Sequence, residues 1–203
     1  ECCKILANIP IDIAKESRSL PNSVSFLEMY NVGMVEQLNI LNRWKINDPT
    51  KSLATPVGLD KTQELFKLDL HEKAHGPHGL IAGMTGSGKS EFIITFILSM
   101  AMNYHPYEVS FVLIDYKGGG LTGAFENKET GMKLPHLAGT ITNLDTVEMN
   151  RSLASVQSEL RKRQRKFNAA RDKLDESTID IYKYQSLYRR GLVDSPISHL
   201  FII

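Results

Sequence analysis

The sequence predicts an α/β domain with a largely parallel sheet, and three observations predict it. Short apolar runs at residues 80–82, 109–115, 137–142 and 200–203 alternate with helical patterns over 89–103, after 145 and after 177. The run Phe111-Val-Leu-Ile114 is continuously apolar, as strands covered on both faces are. The octapeptide Gly83-Met-Thr-Gly-Ser-Gly-Lys-Ser90 fits G-x-x-x-x-G-K-[ST] at every fixed position. It lies between a strand-like run and an apolar helical one, which is the setting of a phosphate-binding loop.

The elements follow in order. Residues 1–50 carry no recognisable chemistry and read as a linker or docking segment, with two short helices over 25–30 and 35–44. Residues 53–58 and 64–70 flank Leu59-Asp-Lys-Thr62 as a hairpin, and a Gly76-Pro-His-Gly79 turn leads to the first core strand, 80–82. The helix over 89–103 is apolar around most of its circumference, so it is a buried one. Strands over 109–115 and 137–142 follow. Asp145 with Glu148 has the pattern of a capping box, opening a long helix whose apolar stripe is Met149, Leu153, Val156, Leu160 and Phe167. Ser177 with Asp180 starts another helix, with Ile181, Tyr184 and Tyr188 on one side and Gly191 after its end. The last strand covers 200–203 and is expected beside the loop strand. Residues 51–203 thus read as the core of one domain.

Composition narrows the class further. Hydrophobic residues make up 42% and charged residues 23%, ordinary values for a globular protein, and 24 basic against 23 acidic residues give a net charge of +1. That balance makes no case for a global nucleic-acid or anionic-membrane surface. No run approaches the length of about 20 apolar residues that spans a bilayer. Cys2 and Cys3 are adjacent and lack metal-ligand spacing, so they read as free thiols of a reducing compartment. Neither Glu1 nor Ile203 looks like a natural terminus, and the chain reads as a piece of a longer protein.

A phosphate-binding loop must offer inward N–H groups and a backbone that wraps closely, which Gly83, Gly86 and Gly88 permit. Met84, Thr85 and Ser87 supply further backbone, and Glu91 trails the motif. Lys89 is the catalytic candidate, reaching the β- and γ-phosphates, and the Ser90 hydroxyl is the candidate Mg²⁺ ligand. The ligand is expected to be ATP, since no N-K-x-D base-reading segment is present. Asp115 ends an apolar strand and has two readings: an auxiliary acid acting on Mg²⁺ or water, or a residue lining the pocket edge and holding Lys117. His75, His78 and His136 match no metal-site spacing. The run Arg161-Lys-Arg-Gln-Arg-Lys166 reads as a solvated helix face, a protomer interface supplying an arginine in trans, or a nucleic-acid contact. No aromatic residues interleave with it to make a stacking platform.

Several segments, taken in order, carry a resemblance: His71-Glu-Lys-Ala-His-Gly-Pro-His-Gly-Leu-Ile-Ala-Gly83, the loop with Glu91, Phe111-Val-Leu-Ile-Asp-Tyr-Lys-Gly-Gly-Gly120 and Leu134-Pro-His-Leu-Ala-Gly-Thr-Ile-Thr-Asn143. Arg163-Gln164, Tyr184-Gln185 and His199-Leu-Phe-Ile-Ile203 agree. Over residues 20–203 the chain resembles the FtsK/SpoIIIE-type ATPases, and within them the type VII secretion branch. The resemblance implies a RecA-like P-loop core, here the first of tandem ATPase domains. It implies a membrane-anchored parent acting as a homo-oligomer, a hexamer, on the cytoplasmic side of the bacterial membrane. That parent uses ATP and Mg²⁺ to export WXG100-type proteins with other membrane components of the machine, and nucleic acid is not an expected partner. Such ATPases continue past the final strand with an Asp-Glu pair, so the 203 residues are expected to bind nucleotide without turning it over. A DNA translocase of the same family and a non-hydrolysing binding module are the alternatives. The insertion at 126–132 is expected to be a mobile loop.

Overall fold

The computed structural model describes residues 23–115, 120–142 and 146–203. Cys2, Cys3, Lys117 and Asp145, singled out above, lie outside them.

The chain enters through α1 (Phe26–Met29), opened by a capping box in which the Ser25 hydroxyl accepts from Glu28 N (3.3 Å) and the Glu28 carboxylate accepts from Ser25 N (2.8 Å). The second expected helix divides into a 3₁₀ turn (Val35–Leu38) and α2 (Ile40–Ile46), because Asn39 between them takes a left-handed conformation with φ of 50°. These pieces pack on α3 (Lys89–Asn103), whose bounds match the sequence reading. Trp44 Nε1 donates to Ala101 O (2.9 Å) and Asn47 Nδ2 to Asn103 O (2.8 Å). The Tyr30 and Ser99 hydroxyls share a 2.8 Å bond.

The hairpin expected next is present as β1 (Ala54–Leu59) and β2 (Leu65–Asp69), paired antiparallel. Its turn is built on the Asp60 carboxylate, which accepts from the amides of Thr62 and Glu64. The hairpin leans on α3 and its end: Thr55 Oγ1 meets Met100 Sδ, and the Tyr104 hydroxyl donates to Ser52 O and Ala54 O.

Three parallel strands, β3 (Val109–Ile114), β4 (Leu137–Ile141) and β5 (His199–Ile202), form the sheet in the order β4-β3-β5. Side chains alternate across β3. Val109, Phe111 and Leu113 join Phe96, Ile97, Met100 and Leu53 in the main core, while Ser110 and Val112 face α4 (Thr146–Leu174). A second cluster, Ala170, Tyr184, Leu187, Val193 and Ile197, packs the end of α4 against α5 (Ile181–Arg189). The helix cap of α5 is Asp180 itself, accepting from Lys183 N (2.7 Å), rather than Ser177, and Gly191 follows with φ of 71°.

Three expectations are corrected. Residues 80–82 form no strand: a three-residue run between Gly79 and Gly83 supplies too few ladder bonds to hold itself, and Leu80 is 94% exposed. The final strand therefore does not sit beside a loop strand. β5 pairs with β3 on one side, and among the described residues no strand pairs on its other side. The apolar stripe of α4 is only partly buried, with Leu153 55% and Leu160 59% exposed. The helix is turned by a polar anchor instead: Arg163 bonds the Glu159 carboxylate (3.0 Å) and Ser198 O (2.6 Å), so Ser152, Glu159 and Arg163 face the sheet across a cavity of about 610 Å³. At the base of the insertion Glu126 and Lys133 form both a β-bridge and an ion pair (3.1 Å), and Asn127 N donates to Met132 O.

Two buried imidazoles make this fold pH-sensitive. Burial, with smaller contributions from His71 and Arg163, pushes the His199 pKa down to about 4 from 6.5, and burial also lowers that of His136. Both groups are neutral in the folded chain and protonate in the unfolded one, so the unfolded state binds more protons below about pH 6.5. Stability is therefore full above that pH and falls as pH drops toward 4, by on the order of 3 kcal/mol through His199 alone. Urea midpoints measured across this range should decline, and His199→Gln should remove most of the slope.

Candidate phosphate-binding site

The site begins with the direction of α3. Its last residue, Asn103, is joined to β3 by a short connection, residues 104–108, which places the C-terminal end of α3 at the amino end of β3. Fifteen helical residues rise about 22 Å, close to the span of the strand, so the N-terminus of α3 returns to the carboxyl end of the sheet. That edge of a parallel sheet is where ligands bind in open α/β folds.

The loop sits at this N-terminus. Gly88 caps the helix with φ of 86°, Gly86 has φ of 79°, and no side chain caps the first turn. The N–H groups of that turn, with the positive end of the helix dipole, form an anion-attracting face. The Lys89 ammonium folds back over the loop and donates to Gly83 O (2.7 Å) and Met84 O (2.6 Å), and Ser87 N donates to Met84 O (3.2 Å). Two of the three Lys89 N–H bonds thus hold the loop in its curl. The approach at Gly83 is close: a Cβ there would lie 2.5 Å from Ser87 Oγ, so the hydroxyl would have to turn aside. Met84, Thr85, Gly86, Ser87 and Ser90 are exposed, as is Glu91 in the first turn. The residues read as a phosphate loop are therefore brought together as one open cradle of backbone donors around a single cation.

Asp115 lies at the same end of the sheet, just past β3. Its amide donates to Ile141 O (2.9 Å), and its carboxylate accepts from Leu121 N (3.0 Å). The carboxylate thus ties Leu121 to the end of β3. The histidines are scattered. His78 is exposed in the loop approach, His136 is buried with Nε2 at 2.7 Å from Tyr104 O, and His71 is buried beneath Tyr182. Among the described residues no group of His, Cys, Asp or Glu is arranged to hold a metal. In the basic run of α4, Arg163 turns inward as above, Lys166 donates to Ser195 Oγ (3.0 Å), and Arg161 and Arg165 are exposed.

One part of the site has no signal in the sequence. Asp69, at the end of β2, accepts from Ser52 Oγ (2.6 Å) and from the amides of Leu53 and His71 (2.9 Å each). Burial raises the Asp69 pKa, but these bonds overcome it and leave it lowered. This carboxylate opens the connector into the loop, where Ala74 N and Gly76 N donate back to His71 O. Its partners come from residues 52 to 71, and no local pattern announces them.

The chain matches the FtsK/SpoIIIE family over residues 36–187. It is 49% identical to the type VII secretion system protein EssC of Staphylococcus aureus (strain NCTC 8325 / PS 47) over 198 residues, 98% of this chain and 12% of that protein. It is 47% identical to the ESX secretion system protein EccC of Geobacillus thermodenitrificans over 189 residues, 92% of this chain and 12% of that protein. The chain thus spans a small part of the curated relatives it matches. Among solved structures, the cytoplasmic domain of the Thermomonospora curvata type VII secretion ATPase EccC aligns with a TM-score of 0.73 and 28% identity, covering 90% of this chain and 20% of that one. With the parallel sheet described above, that match gives the chain an α/β, RecA-like fold. No helix among the described residues is long and apolar enough to cross a membrane.

The Gly83 contact yields a test. Gly83→Ala forces the new methyl against Ser87 Oγ and should weaken binding of inorganic pyrophosphate by about tenfold, the size of an overpacking cost. The double variant Gly83→Ala/Ser87→Ala, which removes the clashing hydroxyl, should recover most of the loss in a calorimetric titration.

Proposed function

Since the chain belongs to the FtsK/SpoIIIE family, we propose that residues 83–91 bind ATP with Mg²⁺ and form the nucleotide site of a secretion motor. The observation that carries this reading is the curl of the loop around Lys89, at a helix N-terminus on the carboxyl edge of a parallel sheet. The residues fit the group. A side chain at Gly83 would crowd the Ser87 hydroxyl, and Gly86 and Gly88 take left-handed conformations that let the backbone wrap closely. Lys89 is pinned by two carbonyls, which leaves one N–H for a phosphate oxygen.

Each residue then has a role. The amides of Gly86 and of Gly88 to Ser90 bind phosphate oxygens, Lys89 neutralises charge between the outer phosphates, and the Ser90 hydroxyl holds the metal. Bound ATP supplies the phosphoryl group whose transfer drives work. Glu91, in the first turn, complements the helix dipole from the side. Asp115 keeps its structural role at the end of β3, held to Leu121.

For the parent protein, the relatives named EssC and EccC favour protein secretion over DNA translocation. We extend the reading to WXG100-type substrates, a hexameric assembly, attachment to the cytoplasmic side of the membrane with other components of the machine, and residues 1–50 as a docking segment ahead of the core at 51–203. Nucleic acid is not a partner in this reading.

Two measurements test the site. Lys89→Ala and Ser90→Ala should each weaken MgATP binding by at least about tenfold in calorimetry, the scale of a lost charge-assisted contact. Equal affinity in wild type and Lys89→Ala would sink the assignment. In a phosphate-release assay the 203 residues should turn over ATP no faster than Lys89→Ala. Lys89-dependent turnover by these residues would instead make Asp115 the acting acid.

A further inference from the structure

The phosphate loop is held from its two ends. Residues 77–88 are exposed throughout, so they are fixed by α3 on one side and by the connector 69–76 on the other. The connector is knotted on itself. His75 N donates to Asp69 O (3.0 Å), Asp69 N donates to His75 Nδ1 (3.0 Å), and Lys73 N donates to His71 Nδ1 (3.1 Å). Because His71 Nδ1 accepts, its proton sits on Nε2, which faces Thr50 O at 3.3 Å. That bond ties the knot to the hairpin side.

A second tie runs to the body of the domain through one residue of α5. The ring of Tyr182 lies on the buried His71 ring at 4.2 Å with 35° between planes, and on the His199 ring at 4.9 Å with 51°. Its hydroxyl accepts from Glu72 N (3.2 Å). His199 is the first residue of β5 and is fixed by its amide to Glu108 O (2.7 Å). The helix α5 that carries Tyr182 is itself fastened, since Gln185 Nε2 donates to both Glu108 O and Ile197 O and Tyr184 Oη to Ser195 O. The three rings therefore fasten the connector to the foot of β5, while Lys89 emerges at the opposite, carboxyl end. Residues 77–88 climb the height of the sheet between these anchors.

We infer that Tyr182 is a positioning residue for the nucleotide site: stacked between His71 and His199, it fixes the foot of the segment that delivers Gly83–Lys89 to the phosphates. This rests on the nucleotide-binding reading of the loop. Tyr182 touches no phosphate. Releasing it lengthens the free segment ahead of the loop, and more of the binding free energy then goes to ordering it.

The test uses Tyr182→Ala and Tyr182→Phe in the intact protein, with two readouts. Tyr182→Ala should raise the MgATP Kd about fivefold, the scale of a lost aromatic pair, whereas Tyr182→Phe, which keeps the stack, should stay within about twofold of wild type. Hydrogen exchange should accelerate at residues 72–82 in Tyr182→Ala and stay unchanged in β3, a local effect that a general loss of stability would not produce. If Tyr182→Ala fails to fold, Tyr182→Leu keeps the apolar bulk without the ring and serves the same contrast. Unchanged exchange over 72–82, or equal effects of the Phe and Ala variants, would overturn the inference. A normal Kd in Tyr182→Ala beside a Lys89-dependent wild type would overturn it too. Absence of any MgATP binding in wild type would refute the nucleotide site and the positioning role together, and connector exchange would then report only a structural clamp.

Discussion

The burial of α3 is the constraint on which the rest depends. Ile97 and Met100 are fully buried, and this one helix is the common wall of three pieces: the N-terminal helices, the β1–β2 hairpin and the parallel sheet. Trp44, Tyr30 and Asn47 reach it from one side, Thr55 from another, and Phe201 through an edge-to-face contact with Phe96 from a third. Since the first turn of the same helix carries Lys89 and Ser90, the position of the phosphate cradle is inherited from core packing. Loops that bind ligands are commonly mobile while their scaffold is rigid. Here the scaffold and one end of the loop are the same element.

The fold was largely legible where one period dominated. The apolar strand at 111–114, the hairpin and the helix from Lys89 to Asn103 all appear where hydrophobic patterning puts them. The shape of the 83–90 loop was legible because it is set locally: Gly86 and Gly88 in left-handed conformations and Lys89 at a helix start need no distant partner. Patterning failed where a polar contact outweighed it. The α4 stripe of Leu153 and Leu160 looked like a core face, yet the bond from Arg163 to Ser198 O, made across 35 residues, sets the rotation of the helix. Nor does composition tell a three-residue apolar strand from an exposed approach, and residues 80–82 were misread for that reason. The His71, Tyr182 and His199 stack joins positions more than 100 residues apart, beyond the reach of any window.

The polar interior is economical in how it reuses atoms. Glu108 O takes both Gln185 Nε2 and His199 N, and the Glu108 carboxylate takes Arg189, which also reaches Asn47 O and Asp48. A short span before β3 is thereby linked to α5, β5 and the segment entering β1. Polar networks of this kind, here partly exposed through Arg189, select one arrangement among several that an apolar core would tolerate. They give a small three-stranded sheet a definite relation to its helices, which hydrophobic area alone would leave loosely specified.

Among the described residues β5 has a strand on one side only, and this has a consequence for how these residues behave in company. The strand reads His-Leu-Phe-Ile, with no charge and no proline to discourage pairing, and Ile202 is half exposed. A strand edge that has no partner among the described residues is a template for another strand, whichever chain it comes from. Crowding these 203 residues together at high concentration therefore favours edge-to-edge association through β5. Solubility, rather than folding, becomes the quantity that a charged substitution at Ile202 would improve.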